Sequence, residues 1–167
     1  MNNVSRQTAR RNARIKALQA LYQWDLNEEA QNDTSIDTAI KLILEQFHES
    51  QDMSKVDQEY FTELFTVTLR TRQKLDEELQ PSLDRPVAEV DPIERSICRL
   101  GAYELANRLD IPLKVVINEW VEITKKFGSD KGYKYVNGVM DKLGQRLRTV
   151  EAGTHAKRDA GGSTKAG

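Results

Sequence analysis

The stretch DPIERSICRLGAYEL, residues 91–105, contains the clearest helix start in the chain. Asp91 is a favoured N-cap residue, Pro92 suits the first helical position, and Glu94 places an acid in the first turn. The apolar residues that recur there at helical spacing are Ile93, Ile97, Leu100 and Leu105. The stretch therefore predicts an amphipathic α-helix.

Two more helices are predicted after it. Pro112 opens the first of them, and Gly128 ends it. Its apolar residues are Val116, Trp120, Ile123 and Phe127, and those of the second are Val136, Val139, Leu143 and Leu147. Because the loop over residues 128–132 is short and polar, we expect these two helices to pack as antiparallel neighbours.

Six stretches of the chain show the helical period, and none shows the sustained alternation of a strand. The upstream helices are predicted from about Arg10 to Leu26, from Thr34 with Asp37, and from Ser54 with Asp57 to Pro81. The last of these is expected to be a single helix of about 24 residues. The fold class predicted is all-α.

The segment from Pro81 to Val90, with Pro86 inside it, is predicted to connect two small helical bundles. We expect residues 1–80 to form the N-terminal subdomain and residues 81–148 the C-terminal one. Residues 149–167 are rich in Gly, Ala, Ser and Thr, with Val150 as their only large aliphatic residue. Such a segment buries too little apolar surface to offset its ordering entropy, so it is predicted to be a disordered C-terminal tail.

The composition excludes several classes of protein. A single cysteine, Cys98, and two distant histidines, His48 and His155, argue against a disulfide scaffold and a metal site, zinc included. The absence of a long apolar run predicts a soluble protein, cytoplasmic and without a membrane partner. No phosphate-binding glycine loop or nucleophilic triad is recognisable. We therefore interpret the chain as a binding protein without a cofactor, and not as an enzyme.

The net charge of −1 over 167 residues is the sum of segments with opposite signs. Residues 1–24 hold five Lys or Arg and no acid, which gives +5. Residues 25–124 hold 10 bases and 22 acids, a balance of −12, whereas residues 125–148 hold seven bases and two acids, again +5. Both ends of the helical region are thus basic and could bind an anionic partner.

The first helix carries three arginines, Arg10, Arg11 and Arg14, in line with its apolar side chains. Because an unpaired buried arginine is very costly, we expect the first two turns to project past the core and present three guanidinium groups. Such groups suit the phosphates of RNA, and Tyr22 and Trp24 follow in the sequence as candidates for base stacking. A solvated helix end or a transit peptide would show the same basic pattern.

Three segments carry motifs of one protein family. The first is the arginine-rich start that runs into Gln19-Ala20-Leu21-Tyr22, and the second runs from Ile93 to Leu105. The third spans residues 112–142 and includes Lys126-Phe127-Gly128 and the run from Lys134 to Val139. Together they cover most of residues 8–148, and they resemble the NusB family of bacterial transcription antitermination factors.

The resemblance implies one compact unit of two helical bundles that binds boxA, a single-stranded RNA element. It also implies a partner, the small-subunit ribosomal protein NusE, and a link to the RNA polymerase elongation complex through other Nus factors. That assembly promotes processive transcription of ribosomal RNA operons. The positions that match RNA-binding residues are Arg10, Arg11, Arg14, Tyr22 and Phe127, and those that match partner contacts are Glu94 and Tyr22. The loop after Gly128 departs from the family pattern of consecutive acids.

Two other functions fit parts of this pattern. A NusB-like module also precedes the catalytic domain of some ribosomal-RNA cytosine methyltransferases, although the length of this chain argues against that enzyme. A helical adaptor that binds only protein would leave the arginines as a solvated helix end. Salt-dependent RNA binding distinguishes the adaptor from the RNA-binding protein.

Overall fold

The computed structural model describes residues 3–149, except for the side chains of residues 3, 4 and 28–30, and within that range it contains only helices and loops. The α-helices are α1 (Asn3–Leu26), α2 (Glu28–Asp33), α3 (Ile36–Ser50), α4 (Gln58–Arg70), α5 (Arg72–Leu79), α6 (Pro92–Asn107), α7 (Leu113–Phe127) and α8 (Gly132–Leu147), and two short 3₁₀ helices span Gln80–Ser82 and Val87–Glu89. The all-α prediction is confirmed. The predicted tail, apart from residue 149, lies outside the described residues, and the division at residue 81 stays a prediction.

The start of α6 and the end of α7 are where the sequence predicts them. The carboxylate of Asp91 accepts hydrogen bonds from the backbone N–H groups of Ile93, at 3.0 Å, and Glu94, at 3.3 Å. The N–H of Gly128 closes α7 by donating to the carbonyl of Thr124 at 2.7 Å. Four loop residues then lead into α8, which packs against α7.

The prediction of one long third helix is wrong, because the chain breaks at Thr71 between α4 and α5. Thr71 has φ −105° and ψ 15°, outside the helical region. Its hydroxyl donates to the carbonyl of Val67 at 2.7 Å. A threonine hydroxyl that is hydrogen-bonded to a carbonyl of the preceding turn bends a helix. The sequence pattern does not reveal the break, because the apolar spacing continues across it.

Two predicted N-caps are displaced, and one short helix was not predicted. Ser35, and not Thr34, caps α3 by accepting a hydrogen bond from the N–H of Thr38. Asp57, and not Ser54, caps α4. The unpredicted helix is α2, a six-residue segment without large apolar residues and so without an amphipathic pattern.

Helix α6 is the centre of the packing, because it contacts α1, α4, α5, α7 and α8. Its Glu104 is completely buried, with 0% exposure. The carboxylate accepts hydrogen bonds from Arg14 of α1, at 2.9 and 3.0 Å, from the hydroxyl of Tyr60 of α4, and from Nε1 of Trp120 of α7, at 2.6 Å. Burial and the Glu104 carboxylate both raise the pKa of Tyr60, so its phenol remains a donor. One carboxylate therefore joins four helices.

A buried arginine, Arg148, seals the C-terminal end of α6, next to Glu104. Its guanidinium donates to the backbone carbonyls of Glu104, Leu105, Arg108 and Ile111. These groups include carbonyls that the end of a helix leaves without an intrahelical partner. The residue that follows α8 in the chain thus completes the capping of α6.

We predict that Arg14→Ala lowers the free energy of unfolding by about 3–5 kcal/mol, because it leaves the Glu104 carboxylate buried without its counter-charge. Urea denaturation at neutral pH measures the loss. The control is Arg70→Ala, which removes an exposed pair with Asp37 and should cost at most about 1 kcal/mol. A similar small loss in both variants would contradict a structural role for the buried pair.

Candidate nucleic-acid interface

Arg14 does not reach the surface. Its side chain is 3% exposed, it is bonded to Glu104, and its Nη1 lies 3.9 Å from Glu119. The expectation that all three guanidinium groups project past the core is therefore wrong for Arg14. The argument from the sequence assumed an unpaired arginine, whereas the fold supplies a carboxylate 90 residues further along the chain.

Arg11 lies at the surface and is held by α7. Its side chain is 43% exposed, and its Nε and Nη2 donate to the two carboxylate oxygens of Glu119 at 2.7 and 2.9 Å. These hydrogen bonds are the main cause that raises the pKa of Arg11, so the group stays charged. Arg11, Glu119 and Lys126 line a groove of about 320 Å³ between α1 and α7, which we call the Arg11 groove.

Arg10 faces a second groove on another side of α1. Its guanidinium carbon lies 4.6 Å from the centre of the Tyr60 ring, a cation–π contact. The side chain is half-buried, and the described residues place no carboxylate within ion-pair distance of it. With Arg6 and Lys55 it lines a groove of about 470 Å³, which we call the Arg10 groove.

Two of the three aromatic candidates remain accessible. Tyr22 is half-buried on the side of α1 that carries Arg11, and a rise of 1.5 Å per residue places it about 16 Å from Arg11 along the axis. Phe127 is 37% exposed and directly follows Lys126 of the Arg11 groove. Trp24, in contrast, is buried and has the guanidinium of Arg72 over its ring at 4.8 Å, so it cannot stack on a base.

Glu94 lies beneath the loop between α7 and α8. It is 4% exposed and accepts a hydrogen bond from the hydroxyl of Ser129 at 2.8 Å, while a Cβ at Gly132 would collide with its carboxylate. Burial is the main cause that raises the pKa of Glu94, and a hydrogen bond with Glu94 lowers the pKa of Asp91. In this arrangement the carboxylate is covered, so a partner at this position would touch the loop that covers it.

Several residues that shape the site were not predicted from the sequence. Arg6, Lys55, Glu104, Glu119 and Lys126 come from three helices and one loop. Arg6 lies on α1 itself, whereas packing brings the other four residues to the arginines. The basic balance of residues 125–148 is the one signal that could have drawn attention to Lys126.

Other kinds of site find no support in residues 3–149. No group of three or more His, Cys, Asp or Glu side chains is arranged there to hold a metal ion. Burial raises the pKa of Cys98 to about 12, so its thiol stays protonated near neutral pH. Among these residues no helix has the length and apolar character needed to cross a membrane.

Comparison with known proteins identifies relatives over most of the chain. The NusB family model matches residues 11–145. The transcription antitermination protein NusB of Alcanivorax borkumensis is 48% identical over 159 residues, which are 95% of this chain and 100% of that protein. The protein of the same name from Ralstonia nicotianae is 49% identical over 144 residues, 86% of this chain and 87% of its own.

A solved structure, that of T. maritima NusB, has the same fold. It superposes with a TM-score of 0.67 at 24% identity and covers 81% of this chain and 89% of its own. The relatives carry the name of a transcription antitermination protein and not that of an enzyme, which agrees with the interpretation of the chain as a binding protein. With a family match over residues 11–145 and relatives almost half identical, the chain belongs to the NusB family.

Proposed function

We propose that this chain is a cytoplasmic transcription antitermination factor that binds single-stranded boxA RNA together with NusE. In that role it joins the RNA polymerase elongation complex through other Nus factors and promotes processive transcription of ribosomal RNA operons. The observation that carries the proposal is the pair of cationic grooves along α1 in a member of the NusB family.

Phosphates of the RNA bind Arg10 and Arg11. A guanidinium has five N–H donors, and the pair with Glu119 uses only Nε and Nη2 of Arg11. Arg10 lies over an aromatic ring, so its side chain is already partly ordered before RNA arrives. Arg14 contributes indirectly, because its bond to Glu104 fixes the rotation of α1 and therefore the directions of the other two arginines.

Bases of the RNA stack on Tyr22 and Phe127. Neither ring is buried: Tyr22 lies on the side of α1 that carries Arg11, and Phe127 follows Lys126 at the end of α7. Aromatic rings accept any base as a stacking partner, so this contact supplies affinity without requiring a particular base.

NusE binds near the loop between α7 and α8. Glu94 and Tyr22 are the residues that contribute to this contact. Because Glu94 is covered by Ser129 and Gly132, it acts on NusE by holding that loop in place.

Replacing Arg10 or Arg11 by alanine should weaken binding of a boxA oligonucleotide and of a scrambled one alike, because phosphate contacts carry no sequence information. With about three to six phosphate contacts, log affinity should fall against log salt with a slope of about −2 to −4, and each substitution should flatten it by less than about one unit. Titrations at several salt concentrations measure both effects, with Arg70→Ala as the control. An RNA affinity that does not depend on salt, or that Arg10→Ala and Arg11→Ala together leave unchanged, would favour a helical adaptor that binds only protein.

Tyr22→Ala and Phe127→Ala should behave differently from the arginine variants. Each should remove about 1–3 kcal/mol of binding free energy if its ring stacks on a base, and leave the salt slope unchanged. The matched control is Leu42→Ala, which truncates an exposed apolar side chain on α3. If the aromatic variants bind boxA as tightly as the control does, stacking on these rings is refuted.

Glu94→Gln should keep both the fold and NusE binding, because the amide oxygen can still accept the hydrogen bond from Ser129. The raised pKa of Glu94 means that its ionised form destabilises the folded state: this carboxyl favours folding most at low pH, and its contribution is lost as pH rises through the folded pKa. Urea denaturation should therefore show the variant at least as stable as the parent at pH 7, with the difference shrinking as the pH is lowered. Loss of NusE binding in the folded variant would instead indicate direct contact with the Glu94 charge.

A further inference from the structure

Glu119 of α7 occupies two of the N–H donors of Arg11 that suit a phosphate. Its two carboxylate oxygens accept hydrogen bonds from Nε and Nη2, at 2.7 and 2.9 Å. A phosphate binds a guanidinium in the same way, because two of its oxygens match two parallel N–H groups. In the protein without RNA, the carboxylate of Glu119 therefore takes a position that a phosphate could fill.

The remaining donors of Arg11 lie beside the same carboxylate. A guanidinium is small and planar, so a phosphate that binds its free edge stays close to Glu119. Two negative groups at such a distance repel each other, and solvent and salt weaken this repulsion at a partly exposed site without removing it. A phosphate at Arg11 must thus either displace the carboxylate or bind next to it, and both arrangements lower its affinity.

The other charges near Arg11 act on it less directly. Glu122, three residues further along α7, also attracts Arg11, but its carboxylate pairs with Lys125 at 3.1 Å. Arg14 repels Arg11, yet it is buried beside its own carboxylate partner. Lys126 is a further cation among the described residues that line the Arg11 groove. The charge that Arg11 offers to RNA is therefore set mainly by its bidentate partner, Glu119.

The fold also supplies a counter-charge for Glu119 when RNA takes Arg11. Nη1 of Arg14 lies 3.9 Å from the Glu119 carboxylate, although Nε and Nη2 of Arg14 are bound to Glu104. A carboxylate that loses Arg11 thus remains beside a second guanidinium. Breaking a charged pair is most costly when it leaves one charge without a partner, and this arrangement reduces that cost.

We propose that Glu119 is an internal competitor of RNA phosphate and lowers the affinity of the Arg11 groove for single-stranded RNA. A free guanidinium would attract any polyanion. Paired with Glu119, Arg11 adds less to that general attraction, so stable binding depends more on other contacts, such as stacking on Tyr22 and Phe127. The inference rests on the RNA-binding function proposed above and adds to it a residue that opposes binding.

Glu119→Gln in the full chain tests the competition, with Glu122→Gln as the matched control. Each variant removes one negative charge from α7 and keeps the shape of the side chain, but Glu119 pairs with Arg11 whereas Glu122 pairs with Lys125. Urea denaturation first shows that both variants are folded. A boxA oligonucleotide and a scrambled one are then titrated at several salt concentrations.

Glu119→Gln should lower Kd several-fold for both oligonucleotides, because phosphate contacts carry no sequence information. It should also steepen the log–log salt slope by about 0.7, the value for one phosphate on a single strand. Glu122→Gln should change both quantities much less. A loss of stability alone would weaken binding, so a gain in affinity with a steeper slope is not explained by a purely structural role.

A double substitution tests whether charge compensation is the cause. Arg11→Ala weakens RNA binding and leaves Glu119 without this partner, so adding Glu119→Gln should return Kd most of the way to the parent value. If Glu119 only positioned Arg11, Glu119→Gln would weaken binding by itself. The double variant would then bind no better than Arg11→Ala alone. Either of these results would overturn the inference.

The same titrations judge the RNA-binding function separately. If the parent chain binds RNA in a salt-dependent manner and Glu119→Gln behaves like Glu122→Gln, the competition is overturned and the function stands. If neither the parent chain nor Glu119→Gln shows salt-dependent RNA binding, both proposals fail together.

Discussion

A single buried carboxylate, that of Glu104, accepts hydrogen bonds from three helices other than its own. A buried charge needs such partners, and each of them is also a geometric constraint on the helix that supplies it. Arg14 is the constraint on α1. Once its guanidinium is held against Glu104, the helix cannot turn about its axis, and the residues beside Arg14 in the sequence must point to fixed sides of the molecule. The surface proposed to bind RNA is in this sense positioned by Arg14, which is itself buried.

The three neighbouring arginines of α1 thereby acquire different environments. Arg14 is a core residue, Arg11 is shared between solvent and Glu119, and Arg10 lies over the ring of Tyr60. Residue type and sequence spacing alone do not distinguish them. Electrostatic complementarity to a polyanion depends on which positive charges the protein has already balanced, and this balance differs between the two sides of the helix.

The sequence predicts best where the signals are local. The cap at Asp91 and the end at Gly128 depend on residues within one turn, and both are in place. The break at Thr71 was missed because apolar spacing continues through it. The burial of Arg14 could not be predicted, because its partner lies 90 residues away and looks like any other acid of the acidic middle. Lys55 was missed for the same reason, since its proximity to α1 is a property of loop packing.

The four carbonyls bound by Arg148 have a consequence for the order in which the chain can fold during synthesis. Helix α6 is the most widely contacted element, yet the group that seals its end belongs to residue 148. A nascent chain that has emerged only as far as α7 contains Glu104 and all three of its donors, but lacks the arginine that closes the adjoining turn. The last stabilising contacts of the central helix therefore form after nearly all of the described chain has left the ribosome. Any truncation or fusion junction for this protein should accordingly lie beyond residue 148.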